Sequence, residues 1–385
     1  MCYVVYFNLV SSHSEKMKSK IFFLFIILTQ PFLSMAQKTA LLGNLKLEGD
    51  LYVGKIYKHT PNFKPNPDNL VKGFELSIIR QTFGSKDWHR HYNFPLVGLK
   101  LNYADYGNPV LGKGISLLPF FQLKLFTIKN TQGYFSYATG LAYLTKHYDR
   151  FSDSTNNVIG SVINETSQFK FGLNHTFKNK GVLTSAIGFQ HYSNAKFTSP
   201  NLGINVYSLN LGYQLFITKT PSNFRTVDDI VVNKKVRFDA HVGYARNENQ
   251  LNGGPKNPYY TTYFGINKRW CYNNRWSLGL WYQYDKGYKH QLQFYEDRSD
   301  IGNFTNTAAL TLGDEFVFGK LSLTGSCGYF IFNNGGSQKT FQTLGVQYVL
   351  WRYNKMKQNE IFAGVQLKTH LGQAEYFETI LGFRF

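Results

Sequence analysis

The sequence predicts an all-β protein, an antiparallel transmembrane β-barrel of the outer-membrane type. Three observations carry that prediction. Strand-length segments with a period of two recur along nearly the whole chain. Aromatic residues make up 17% of it, with 34 Phe and 27 Tyr beside 34 Gly. After the N-terminal leader, no segment reaches the ~18 uninterrupted apolar residues that signal a membrane helix. Alternating apolar and small or polar residues, with aromatics in belts, suit a barrel that has a greasy outside and a polar interior.

The first element is an export signal. Met17-Lys18-Ser19-Lys20 forms a basic n-region, Ile21 to Phe32 an apolar h-region, and Ser34-Met35-Ala36 a small-residue cleavage site before Gln37. Residues before Met17 read as a start placed too early, so residues 1–36 are set aside as a signal peptide with its true start at Met17.

Candidate strands follow near residues 41–53, 73–83, 96–105, 115–128, 133–147, 166–176, 181–193, 204–217, 235–246, 258–270, 274–286, 304–317, 320–332, 341–351, 360–369 and 375–385. The pattern is plain in 181–193. Leu183, Ser185, Ile187, Phe189, His191 and Ser193 share one face; Val182, Thr184, Ala186, Gly188, Gln190 and Tyr192 share the other. In 274–286, Trp276, Leu278, Leu280 and Tyr282 alternate with Ser277, Gly279 and Gln283, and Trp281 breaks the pattern. Turn signals separate many strands, as in Asn130-Thr131-Gln132-Gly133 and Asn333-Asn334-Gly335-Gly336. The last strand ends in Gly382-Phe383-Arg384-Phe385, and its terminal Phe resembles the C-terminal signal of outer-membrane barrels.

Residues 218–235, with Pro221, Asp228, Asp229, Lys234 and Lys235, form the clearest polar break. They divide the mature chain into a region 37–217, a loop or linker 218–235, and a second strand-rich region 236–385. An open sheet cannot stand in lipid, so each unit has to close. The favoured reading is one barrel of about 12–16 strands; the alternative is two barrels of about eight.

Composition narrows the function. The net charge is +19, and removing the leader leaves most of it. A basic excess either draws the protein to an anionic surface such as lipopolysaccharide phosphates or only keeps its loops soluble. Export argues against nucleic acid as a partner. Cys271 and Cys327 are the cysteines left after processing, without metal-ligand spacing. Cys327 lies on the apolar side of its strand and reads as a packed thiol, with a Cys271–Cys327 disulfide left open. No HExxH, P-loop or paired zinc signature is present, so neither a metal nor a cofactor is expected.

The segment Gly188-Phe189-Gln190-His191-Tyr192-Ser193-Asn194-Ala195 and the run Ser199-Pro200-Asn201-Leu202-Gly203-Ile204-Asn205 carry the chemistry. If Ser193 lies opposite about 203, His191 lies opposite Asn205. Three polar groups then meet at the end of an otherwise apolar, lipid-facing surface. A serine hydroxyl becomes a nucleophile when an imidazole takes its proton, and a third group fixes the imidazole tautomer. Asn194 or the backbone at Ala195 are candidate oxyanion donors. An isolated His-x-Ser usually means nothing, and a rim hydrogen-bonder is the bland reading of His191. Trp88, His89, His91 and His147 are candidates to line the site, although interfacial aromatics and polar loop residues are the simpler reading.

The run His191-Tyr192-Ser193-Asn194-Ala195 followed by Pro200-Asn201-Leu202-Gly203-Ile204-Asn205 resembles the motif of PagL-type lipid A 3-O-deacylases, also called acyloxyacyl hydrolases. The resemblance covers roughly residues 73–217. Trp88…Arg90-His91-Tyr92-Asn93-Phe94-Pro95, Gly107-Asn108-Pro109-Val110-Leu111-Gly112 and Gly140 to Arg150 are similar to the Bacteroidetes-type version. It implies an outer-membrane serine esterase acting on an acyl ester of lipid A or another membrane lipid, with Ser193 as nucleophile and His191 as general base. One position departs: the family has a Glu where this chain has Asn205. An acid-to-amide change of this kind cost a serine protease about 10⁴ in kcat. Either another acid, such as Glu165 or Asp149, supplies the charge, or activity is slow or lost. The rival readings are a catalytically inactive outer-membrane pore and a barrel that binds glycolipid through basic loops.

Overall fold

Alternation of large apolar and small or polar side chains makes strands with one face for lipid and one for the interior. The computed structural model describes residues 45–177, 181–217, 232–248, 252–287, 289, 305–333, 338–354 and 359–385. The expected leader and most of the linker at 218–235 lie outside the described residues. Eight strands form a first set: β1 Leu45–Ile56, β2 Leu70–Gln81, β3 Leu96–Asp105, β4 Lys113–Ile128, β5 Thr131–Leu144, β6 Ile163–Phe177, β7 Gly181–Ser193 and β8 Ile204–Phe216. A short helix, α1 (Asp87–His91), lies between β2 and β3. Eight more form a second set: β9 Arg237–Glu248, β10 Lys256–Arg269, β11 Asn274–Asp285, β12 Asn306–Phe318, β13 Leu321–Asn333, β14 Thr340–Asn354, β15 Asn359–His370 and β16 Gln373–Arg384.

Each set closes on itself. β1 pairs antiparallel with β8, from Lys46 opposite Phe216 to Ile56 opposite Val206. The final strand β16 pairs with β9, with Leu381 opposite Val242. The fold is therefore two closed eight-stranded antiparallel barrels. This corrects the expectation of one larger barrel in favour of its alternative. Alternation fixes which side of a strand faces lipid but not which strand closes the ring.

The reason for narrow rings lies inside them. In the first barrel, Lys170 on β6 reaches Asp50 on β1 at 3.1 Å and Glu75 on β2 at 2.6 Å, and Lys100 on β3 reaches Glu75 at 2.9 Å. In the second, Arg384 on β16 contacts Asp239 on β9 at 3.0 Å, Glu360 on β15 at 3.0 Å and Glu315 on β12 at 3.3 Å. Eight strands leave an interior that side chains just fill, so these charges meet across the lumen. Trp281 belongs to this interior. It does not interrupt the alternation but follows Gly279 inward, where the Lys368 ammonium lies 4.6 Å from its ring.

The outside is apolar. Leu51, Phe74, Ile78, Phe171, Ile187 and Leu209 are exposed on the first barrel, and Val242, Phe264, Leu280, Leu312 and Leu344 on the second. A water-exposed surface of this kind would be an aggregation site; around a closed barrel it is the lipid face. Among the described residues, Cys271 and Cys327 are both free. Cys327 has the outward parity its strand gives it but is exposed rather than packed.

At one rim of the first barrel the loops β1–β2, β3–β4, β5–β6 and β7–β8 gather over a buried apolar cluster. Phe63, Tyr106, Leu111, Val158, Ile159, Tyr192 and Ile204 belong to it, so this end is capped by packing.

Candidate active site

The site is built on the adjacent ends of β6, β7 and β8 at the capped rim. β7 and β8 pair with His191 opposite Asn205 and Tyr192 opposite Ile204. On the other side of β7, β6 sets Ser167 opposite His191 and Glu165 opposite Ser193. Pleating sends His191, Ser193 and Asn205 to the outward side, while Tyr192 turns inward. Tyr192 is buried against Tyr106, and its hydroxyl accepts a hydrogen bond from Asn102 Nδ2 at 3.2 Å. That inward anchor fixes the strand end from which the outward groups project.

His191 and Asn205 are brought together as their register requires: His191 Nδ1 lies 2.6 Å from Asn205 Oδ1. With the amide oxygen toward the ring, Nδ1 is the donor, and in the neutral imidazole Nε2 holds a lone pair. Gly203 explains how the ring fits. It sits at φ +81°, and a Cβ there would lie 2.8 Å from His191 Cε1. Its N–H donates to Val158 O at 3.0 Å, tying the site to the β5–β6 loop.

Ser193 is only 1% exposed, and its Oγ has no hydrogen-bond partner. The hydroxyl and the imidazole are therefore not hydrogen-bonded in this arrangement. The oxyanion candidates divide. Asn194 spends both its donor groups locally: its backbone N–H donates to Asn201 Oδ1 at 2.9 Å, and its Nδ2 to Ser161 Oγ at 2.7 Å. Ala195, at φ 50°, begins the turn that follows.

The two alternative acids separate as well. Asp149 is exposed in the β5–β6 loop, where Ser152 N–H, Phe151 N–H and Ser152 Oγ all donate to its Oδ1. Those donors hold its carboxyl below the usual range and commit it to its own turn. Glu165 lies beside Ser193 on the outward face, and its Oε1 accepts from Ser167 Oγ at 2.6 Å and Thr139 Oγ1 at 2.8 Å. Trp88, His89 and His91 do not line the site. They lie on or next to α1 at the opposite rim, where His91 stacks on Tyr272 of the second barrel at 3.8 Å. His147 lies in the β5–β6 loop. Among the described residues no cluster of His, Cys, Asp or Glu could hold a metal ion.

Two further groups were missed from the sequence. Asn205 Nδ2 lies 3.0 Å from Nδ1 of His59, which comes from the β1–β2 loop. The loop 194–203 also touches the second barrel. Glu248 Oε2 accepts from Ser199 N–H at 2.7 Å, Glu248 N–H donates to Lys196 O at 3.1 Å, and the Lys256 ammonium lies 3.9 Å over the Phe197 ring. Neither group carries a periodic or motif signal.

Residues 72–214 match the family described as lipid A 3-O-deacylase (PagL), and residues 236–385 match the acyloxyacyl hydrolase C-terminal domain. Together the two matches span well over half of the chain and fall one on each barrel. The chain belongs to the PagL family. Among solved structures, the outer membrane enzyme PagL is 20% identical, covering 44% of this chain and 99% of its own, with a TM-score of 0.31. The Neisserial surface protein A is 12% identical over 45% of this chain and 97% of its own, also at 0.31. The N-terminal β-barrel domain of Pseudomonas aeruginosa OprF is 15% identical over 45% and 99%, at 0.26. A search of curated protein sequences found no match. This PagL-family chain is an outer-membrane barrel protein, and the residues matching the lipid A 3-O-deacylase (PagL) model form its first barrel.

Proposed function

We propose that this chain is an outer-membrane serine esterase that hydrolyses an acyl ester of lipid A. One observation carries the reading most: an imidazole held with Nδ1 toward an acceptor lies two residues from a buried, unpartnered serine hydroxyl, at the end of a lipid-facing surface. A buried hydroxyl without a partner costs free energy, so its retention favours a reserved chemical role. Apart from the β2–β3 connection, the longer loops of the first barrel gather at this rim, which in barrels of this type faces outward, toward the leaflet that holds lipid A.

The steps balance. Ser193 Oγ attacks the ester carbonyl carbon as its proton passes to His191 Nε2. The tetrahedral oxyanion is met by backbone donors after Ser193, with the N–H of Ala195 the best placed in sequence because Asn194 is engaged elsewhere. The bond to the sugar oxygen breaks, and that oxygen takes the proton from His191. Water then attacks the acyl-serine, giving its proton to His191 and releasing the fatty acid, and the proton returns to Ser193. The hydrogen bond from Ser193 to His191 forms as substrate docks, as it commonly does in enzymes whose resting geometry is loose. Asn205 orients the imidazole, and Glu165, opposite Ser193 on β6, is the carboxylate that would offset the imidazolium charge.

A passive pore is less well supported, because ion pairs cross the lumen of both barrels. Lipid A mass spectrometry on membranes tests the proposal. Wild type removes an acyl chain; Ser193→Ala leaves lipid A intact while the barrel still assembles. Identical spectra from a strain carrying the gene and its deletion would overturn the reading.

A further inference from the structure

A side-chain amide can face an imidazole in two ways. With Oδ1 toward the ring it accepts from Nδ1–H, and Nε2 keeps the lone pair a base needs. With Nδ2 toward the ring it donates to Nδ1, the ring proton moves to Nε2, and the base is lost. This wrong tautomer is what an acid-to-amide change produced in a serine protease. A carboxylate has no such ambiguity, because it only accepts.

Here a second imidazole decides the direction. Asn205 lies between two rings, with Oδ1 2.6 Å from His191 Nδ1 and Nδ2 3.0 Å from His59 Nδ1. With its own proton on Nε2, His59 only accepts at Nδ1, so it takes the amide N–H and leaves the oxygen to His191. His59 is itself held: its ring packs edge-on against Phe63, which is 1% exposed. The start of its loop is tied to the same asparagine, because Tyr57 N–H donates to Asn205 O at 2.8 Å.

We propose that His59 is a positioning residue that orients the Asn205 amide and so sets His191 in the tautomer able to take the Ser193 proton. The inference rests on the esterase reading above and deepens it. His59 touches no reacting atom, and no bond is made or broken at it. The pair Asn205 and His59 does with neutral groups what a single carboxylate does by charge.

The experiment uses the full-length protein purified in detergent, with lipid A in mixed micelles and released fatty acid as the readout. His59→Ala lowers kcat by about tenfold or more while KM stays within about twofold, because orientation of the base is lost and substrate binding is not. His59→Asp, which keeps an acceptor where Nδ1 stood, retains most of the rate. In an Asn205→Asp background, His59→Ala costs less than about twofold, because a carboxylate needs no orienting. Nitrogen-15 NMR of labelled histidines reads the tautomer directly: the His191 proton sits on Nδ1 in wild type and moves toward Nε2 in His59→Ala. An unchanged kcat in His59→Ala, an equal penalty in the Asn205→Asp background, or a His191 proton that stays on Nδ1 overturns the proposal. Wild type no faster than Ser193→Ala would instead sink the esterase reading, and the NMR result alone would then decide the role of His59.

Discussion

Gly203 meets three demands at once. Its φ of +81° suits glycine, its N–H holds the β5–β6 loop, and its missing Cβ leaves room for the His191 ring. Gly203→Ala is expected to push the imidazole off Asn205 and lower kcat on the order of a hundredfold, since misplacing a catalytic group by about 1 Å costs that much. The barrel should still assemble. Wild-type fatty-acid release in the purified variant would show that the ring does not depend on this space. The register that sets His191 opposite Asn205, with Ser193 two residues along the same strand, was legible in the sequence because a strand allows only two side-chain directions and a hairpin fixes the register. His59 was not. It enters from a separate loop, and nothing periodic links residue 59 to residue 205.

At the scale of elements, the strands were legible and their closure was not. Sixteen alternating segments correspond to the sixteen strands of the described residues, the first of which is described from Leu45. Trp281 looked like an exception only because the lumen was expected to be lined by small or polar groups. A buried ammonium, Lys368, gives that large ring an inward partner. The loop 194–203 shows what the second barrel offers the first. Glu248 is buried, and its carboxylate accepts from Ser199 N–H in the loop between Ser193 and Asn205. Hydrogen bonds to charged groups contribute about 1.5–3 kcal/mol. Glu248→Ala should therefore speed amide hydrogen exchange across residues 194–203 and reduce deacylation several-fold, with strand exchange unaltered. Equal exchange in the two proteins would mean that the loop holds itself.

Across the whole molecule, each barrel is locked by charges that find one another only once the ring has closed. Lys170 serves both Asp50 and Glu75, and all three are buried. Removing one member of such a group strands the others, which typically costs about 3–5 kcal/mol. Lys170→Met should accordingly lower the urea midpoint of the first barrel's unfolding while leaving its slope unchanged. An unaltered midpoint would mean that Lys100 alone neutralises Glu75. These pairs also explain why one larger ring of about 12–16 strands was a reasonable expectation from the sequence. Isolated Lys, Glu and Arg on small-residue faces read equally well as the lining of a wide, watery channel.

An even number of strands returns a polypeptide to the side it left. β8 therefore ends at the same rim where β1 begins, and β9 starts again from that rim. A cut between the two rings would leave two sealed objects rather than two torn ones. Either half could then be duplicated, shed or joined to a different companion without either ring having to be rebuilt.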